Sequence, residues 1–437
     1  MTDSVNVPKR FVYSTHDIVD TIGMVSPFTP AEEQKQAVIS ALKNPVSILT
    51  GGPGTGKTQT VSTIINTIKT LSSTAVIAMC APTGKAAVRM SELTGSKKSS
   101  TIHRLLGIGN PQKELGVGEL ICDFLVVDEF SMVDIQLCER LFRCVCTHAR
   151  VIIVGDDNQL PSVGPGLVLR DFIRSGVIPC TKLTKVFRQS GSGSRIVKNA
   201  NAIINQKPGD PVMLSMAKNP NEDFYFIDAE APSKIMGLVD ASVKRLINKH
   251  HIGLDQIGVF SPVYAGELGV DALNECLRDS YNAEGEEYEI PSGGSFKIGD
   301  KVIQTRNNYD LMVFNGEQGI VKKFGYTQEQ AVLVDYQDRE IWYSCTEIAD
   351  LELAYAITVH RSQGSEYKAV IIPVHETLVR NLNINLLYTA ITRAKGIVIL
   401  VGSKKAFSEG IRRQASERCS QLADKLKAAF TVTAKAA

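Results

Sequence analysis

The sequence has no run of 18 apolar residues, and its opening stretch, MTDSVNVPKR, holds no hydrophobic segment. The first absence excludes a membrane-spanning helix, and the second a secretory signal. A cytoplasmic protein with no membrane partner is the expectation. The nine cysteines include no CxxC pair, Cys144 and Cys146 being the nearest two. That unpatterned set excludes a disulfide framework or a zinc site and fits reduced thiols. A large excess of one charge is missing too, since 48 basic residues face 46 acidic ones for a net charge of +2. A polyanionic partner would have to be held by local groove chemistry, because overall charge does not attract it. The one locally basic stretch is Ser403 to Ala437, where eight Lys or Arg meet three acids for a net of +5. The solvated face of a helix accounts for such a tail.

What is present is ordinary globular material, 43% hydrophobic and 22% charged over 437 residues, enough for two or three domains. Residues 1–27 show little periodicity and read as an arm or a small packing addition. From about Phe28, apolar strands alternate with helices: PVSILT, AVIAMCA, FLVVDE and RVIIVGD in the first half, FYFID, IGVFSP, AVIIPV and GIVILVG in the second. Continuous Val/Ile/Leu strands separated by helices mark parallel sheets buried on both faces. Two such α/β domains are expected, at 28–180 and at 181–298 with 345–402. Residues 299–344 change style to a meander of short strands with Asn315-Gly316 at a tight turn, which predicts a small all-β, barrel-like insertion in the second domain. A glycine-containing interruption at 107–120 reads as a loop or hairpin, and 403–437 as a basic tail.

The strand PVSILT runs into Gly51-Gly52-Pro53-Gly54-Thr55-Gly56-Lys57-Thr58, which fits the phosphate-loop pattern G-x-x-x-x-G-K-[ST]. Glycines let backbone N–H groups converge on phosphates, and the following helix turns its positive end to the anion. Lys57 then neutralises the β- and γ-phosphate charge of a nucleotide, and the Thr58 hydroxyl ligates Mg2+. The strand FLVVDE ends in two acids, Asp128 and Glu129. Asp128 suits the Mg2+ hydration shell and Glu129 suits the base that activates water, although a helix N-cap pair also fits two such acids. The cluster VGDDNQLPSVGPG follows another apolar strand, so Gln159 stands at a carboxyl edge of the sheet, where ligands bind. A plain Asp/Asn/Gly turn accounts for it equally well. An arginine aimed at the transition state is worth about 10³–10⁵ in rate. Arg188 in KVFRQ and Arg393 in YTAITRAK are the candidates.

The order GGPGTGKT, APTGKAA, TIHRLL, VVDEFSMVD, VGDDNQLPSVGPG, TKVFRQ, TVHRSQGSEY and LYTAITRAK resembles superfamily 1 DNA helicases of the RecD-like branch, which also includes the phage Dda type. The resemblance runs from about residue 28 to 402 and takes in GDKVIQTRNNYD and VFNGEQG of the β module. It implies two RecA-like P-loop NTPase domains with ATP and Mg2+ between them. Gln34 would read the adenine, and Arg188 and Arg393 would be arginine fingers. Gly364 and Glu366 would approach the nucleotide from the second domain. Single-stranded DNA would be met by Pro82, Thr83, Lys85, His103, Thr358, His360, Ser362 and Gln363, through contacts that carry no sequence information. The segment 107–120 occupies the place of the strand-separating pin of that branch, and it has no aromatic side chain.

The function implied is a monomeric ATP-dependent helicase that moves 5′-to-3′ on single-stranded DNA and opens forked duplexes, with replication or repair proteins as possible partners. The alternative is a translocase that displaces proteins or works on RNA with little strand separation. A nucleotide-controlled clamp without turnover is a third reading, opposed by the intact Lys57, Asp128, Glu129 and two arginines.

Overall fold

Apolar strands and amphipathic helices alternate through most of the chain. The computed structural model of the protein describes residues 11–436 apart from 95–98, 109–112, 188–193, 206–221, 291–292, 309, 337–338 and 415–417. The chain divides into two compact units, Met1–Gln189 with Ser416–Ala437, and Ser190–Ala415.

The first unit opens with α1 (Thr15–Val25) and α2 (Glu32–Lys43), then β1 (Val46–Gly51) and α3 (Lys57–Leu71). It continues with β2 (Ile77–Ala81), α4 (Gly84–Thr94), β3 (Ser99–Thr101), α5 (Ile102–Leu105), β4 (Phe124–Val127), α6 (Ile135–Cys144), β5 (Arg150–Gly155), α7 (Val168–Ser175) and β6 (Cys180–Leu183). The six strands pair in parallel in the order β3-β2-β4-β5-β1-β6. Successive side chains of a strand point to opposite faces, so each strand feeds two cores. Leu49, Phe124, Val126, Ile152 and Val154 pack with Ile18, Ile22, Val38, Ile64 and Ile68 of α1, α2 and α3. Ile48, Leu125, Val127, Val151 and Ile153 pack on the other face with Leu141, Val168 and Phe172. Burial in that second core pushes the Cys122 and Cys138 thiols up to about 12, so they are inert there.

The second unit holds α8 (Arg195–Ile204), β7 (Phe224–Asp228), α9 (Pro232–His250), β8 (Ile257–Ser261), α10 (Val270–Tyr281) and the hairpin β9 (Glu287–Glu289) with β10 (Ser295–Lys297). The next strands, β11 (Lys301–Gln304), β12 (Gln318–Phe324), β13 (Val332–Asp335), β14 (Glu340–Tyr343) and β15 (Leu351–Leu353), form an antiparallel sheet in the order β14-β13-β12-β11-β15. The chain then re-enters the main sheet with β16 (Ala356–Thr358), β17 (Tyr367–Val374), α11 (Ile384–Thr392), β18 (Ala394–Gly402) and α12 (Lys404–Arg412). That sheet is parallel, in the order β16-β8-β17-β18-β7. The last helix, α13 (Leu422–Ala436), returns to the first unit and packs on α7.

The α/β fold with two parallel sheets and a small all-β insertion is therefore present. Several bounds differ from the sequence reading. Residues 15–25 of the expected arm are a helix, capped by Ser14 and buried through Ile18, Thr21 and Ile22. The β module extends past 344 to include β15. The unit boundary falls after Gln189 instead of 180. Residues 403–437 are not one tail: α12 buries Ala406, Phe407 and Ile411, while α13 carries Leu422 and Leu426 onto the core of the first unit. Lys404, Lys405 and Arg412 of α12 and Lys425 and Lys427 of α13 are exposed, which is why the sequence looks uniformly basic.

Candidate functional site

Strand register sets the first half of the site. Thr50 of β1 lies beside Gly155 of β5, Val127 of β4 beside Ile153, and Cys80 of β2 beside Val127. The segments that follow these four strands therefore leave the sheet along one carboxyl edge. They carry the phosphate loop, Asp128 and Glu129, the Gln159 loop, and Pro82 with Thr83.

Gly56 caps α3 at φ 84°, a left-handed conformation that glycine takes without penalty, and a Cβ there would lie 2.7 Å from Gln34 Nε2. Gly51, Gly52, Pro53, Gly54 and Thr55 form the loop, braced by Thr55 Oγ1 donating to the Gly52 carbonyl at 2.9 Å. The Lys57 ammonium donates to the carbonyls of Gly51 and Gly52, the latter at 3.1 Å. Thr58 lies in the first turn of α3. Gln34 is buried in α2; its Oε1 accepts the Ala31 N–H at 2.9 Å, whereas its Nε2 has no hydrogen-bond partner. A buried donor without a partner beside a phosphate loop is a ready reader of a ring acceptor.

Burial and the neighbouring Glu129 carboxylate push Asp128 up to about 6, against the pull of Arg89 and Lys57. Asp128 Oδ1 accepts the Glu129 N–H at 2.8 Å. Glu129 itself sits at φ 49°, an uncommon backbone conformation for a residue with a side chain. Gln159 is buried; its Nε2 lies 3.5 Å from Asp156 Oδ2, and its Oε1 has no hydrogen-bond partner. The lone cation-to-carbonyl contacts of Lys57, the unmatched amide of Gln34, and an acid kept weak by burial all fit a nucleotide triphosphate with Mg2+, which Thr58 and Asp128 would hold.

Thr83 caps α4 by accepting the Ala86 N–H at 3.4 Å, with Pro82 before it and Lys85 in the first turn. His103 is in α5. Burial pushes its pKa down, partly offset by Asp134, and its Nδ1 is buried without a hydrogen-bond partner. In the segment 107–120, residues 109–112 lie outside the described residues, while its flanks are tied down by Leu115 N–H to Leu106 O and Leu120 N–H to Cys144 O.

In the second unit, TVHRSQGSEY spans the sheet. Thr358 is level with Ser261 at the carboxyl end of β8, whereas Tyr367 starts β17 beside Ala394 at the amino end of β18. Gly364 (φ 74°), Glu366 and Arg393 are thereby gathered at the amino edge. Arg393 is buried, its Nη1 donates to Ser365 O at 3.3 Å, and its carbonyl accepts the Tyr367 N–H. Glu366 pairs with Lys395 at 2.9 Å. Thr358 and His360 lie toward the other end, and burial lowers the His360 pKa. Ser362 is wholly buried and donates to Val359 O at 2.7 Å, so it shapes the turn and presents no hydroxyl; Gln363 is also buried. Arg188 lies outside the described residues. Sequence reasoning missed Phe187, whose N–H donates to the Gly54 carbonyl at 2.9 Å, although KVFRQ had marked its neighbour.

Family models match the chain in three places: an AAA domain over 34–165, the SH3 domain of ATP-dependent RecD-like DNA helicases over 273–336, and a UvrD-like helicase C-terminal domain over 353–401. The ATP-dependent RecD2 DNA helicase of Deinococcus radiodurans is 34% identical over 400 residues, 91% of this chain and 52% of that protein. The RecD subunit of the RecBCD enzyme of Mycobacterium tuberculosis is 32% identical over 418 residues, 89% of this chain and 72% of the relative. The chain belongs to the RecD-like helicase family. It spans about half the length of the RecD2 relative. Its RecD-like fold is shared with a Pif1 helicase studied on forked double-stranded DNA (TM-score 0.55, 20% identity, 93% of this chain and 98% of that one). The Candida albicans Pif1 helicase shares it as well (TM-score 0.53, 19% identity, 93% and 100%). No helix among the described residues of this RecD-like chain is long and apolar enough to cross a membrane.

Proposed function

We propose that the chain is an ATP-driven motor that moves 5′-to-3′ on single-stranded DNA and unwinds forked duplexes, acting as a monomer in the cytoplasm. The observation that carries this reading is the assembly of Lys57, Asp128, Glu129 and Gln159 on one carboxyl edge of one parallel sheet. Family membership, with a relative named as an ATP-dependent DNA helicase, supports it.

Lys57 exchanges its contacts with the Gly51 and Gly52 carbonyls for the β- and γ-phosphates of ATP. Glu129 takes the proton of the attacking water, and the Gln159 Oε1 orients that water. Arg188 and Arg393 stabilise charge on the transferred phosphoryl group. Thr58 and Asp128 would hold Mg2+, which when bound would supply charge neutralisation. The arginines' contact with the γ-phosphate exists only while the triphosphate is intact. ATP thus binds two conformations unequally, which is the requirement for driving one into the other. Thr83, Lys85, His103, Thr358 and His360 grip the strand through its backbone, so movement is independent of sequence.

ATP turnover measured with single-stranded DNA and with RNA of equal length tests this reading. Stimulation by DNA above that by RNA is expected. Turnover that neither polymer raises would leave a clamp, and stimulation by RNA alone would leave the RNA translocase.

A further inference from the structure

The loop that carries Gln159 closes around a cation. Beyond Gln159 it runs through Pro161, Ser162, Gly164, Pro165 and Gly166, and prolines offer no N–H with which to brace it. The carbonyls of Ser162, Gly164 and Gly166 converge instead on the Arg418 guanidinium. Nη1 donates to Gly164 O at 2.5 Å and to Gly166 O at 2.9 Å, and Nη2 donates to Ser162 O at 2.8 Å. A planar fork of five donors suits three carbonyls at fixed angles; an ammonium on a flexible stem does not.

The opposite side of the loop is fixed as well. Ile135 N–H donates to Pro165 O at 2.9 Å, and Ser162 Oγ donates to Gly164 O at 3.1 Å. A Cβ at Gly164 would lie 2.1 Å from Asp134 Oδ2. Asp134 caps α6 and is the acid whose charge supports protonation of His103. The loop therefore stands between Gln159 on one side and the surroundings of His103 on the other, with Arg418 holding its backbone.

Arg418 arrives from far away in sequence. The chain leaves the first unit at Gln189, builds the whole second unit, and returns at Ser416. Ser420 then bonds Asp171 of α7, and Leu422 and Leu426 join the core beneath. We infer that Arg418 is a positioning residue: it sets the backbone of the Gln159 loop, and through it the aim of the Gln159 amide at the phosphate and water. This rests on the proposed ATPase function, although nothing in the sequence motifs assigns Arg418 a part in it.

The test compares the full chain with Arg418→Ala, Arg418→Lys and Ser420→Ala. It measures affinity for a fluorescent ADP analogue, kcat of ATP hydrolysis with and without single-stranded DNA, and Tm. Arg418→Ala should keep nucleotide affinity within about twofold, since the phosphate loop is untouched, and lose about tenfold to a hundredfold in kcat. Added guanidinium ion should restore part of that loss, Arg418→Lys should stay impaired, and Ser420→Ala should retain wild-type kcat. Wild-type kcat in Arg418→Ala would overturn the inference. So would a parallel fall of kcat in Arg418→Ala and Ser420→Ala that follows Tm, because the segment would then be serving only to hold the unit together. If DNA fails to stimulate the unmodified chain, the proposed function fails instead, and the effect of Arg418→Ala on basal kcat still decides the inference.

Discussion

At the scale of single residues, the site is built from groups held in conditions they would not choose in water. Glu129 has a left-handed backbone and stands beside an acid that burial keeps weak. Such strain costs on the order of 1–3 kcal/mol and persists where the surroundings impose it. Two substitutions separate its parts. Glu129→Gln keeps the backbone and removes the base; ATP and DNA binding should survive while turnover falls at least about a hundredfold, since a positioned base is worth about 10²–10⁴. Stopped-flow phosphate release measures this, and near-normal turnover would remove Glu129 from the role. Glu129→Gly removes both the base and the backbone penalty. It should be equally inactive, yet scanning calorimetry should find Tm unchanged or raised by about 2–4 °C, the equivalent of ~1 kcal/mol in a unit of this size. A clear fall in Tm would show that the φ of 49° carries no strain.

At the scale of elements, legibility followed amphipathicity and chemistry. The strands with four or more consecutive Val, Ile, Leu or Phe residues could be read within a residue or two, because burial on both faces leaves no polar position to confuse them. The short strands β3 (SST), β6 (CTKL) and β16 (AIT) were missed, since edge strands of three or four residues take their structure from a neighbour's hydrogen bonds and are too short to show a pattern of their own. That the glycine-rich loop, the two acids and Gln159 would share one edge was legible because each follows a continuous apolar strand of the same parallel sheet. Arg418 was not, because contacts to carbonyls more than 250 positions away leave no local pattern. Helix α1 was missed for a different reason: only Ile18, Thr21 and Ile22 face the core, too few to impose a period. Its packing is nonetheless substantial. Ile22→Ala should destabilise the first unit by about 2–5 kcal/mol, the range for a buried isoleucine truncated in a well-packed core. Urea denaturation followed by circular dichroism checks this, and a loss under ~0.5 kcal/mol would mean that α1 is an ornament on the surface.

At the scale of the whole molecule, the chain carries two parallel sheets, and it belongs to the RecD-like helicase family. The first sheet presents its residues at carboxyl ends. The second gathers Gly364, Glu366 and Arg393 at an amino edge, with Thr358 and His360 displaced along the strands toward the opposite end. One segment, TVHRSQGSEY, thus joins the edge that carries the proposed nucleotide contacts Gly364 and Glu366 to the edge that carries the proposed DNA contacts Thr358 and His360, so a change at one end has a short covalent route to the other. The most direct test of the account is unwinding of a forked duplex bearing either a 5′ or a 3′ single-stranded tail, with ATP and Mg2+, under single-turnover conditions. Strand separation on the 5′-tailed substrate, dependent on ATP and absent in Glu129→Gln, is the predicted result. Separation confined to the 3′-tailed substrate would reverse the direction, and no separation on either would contradict the account.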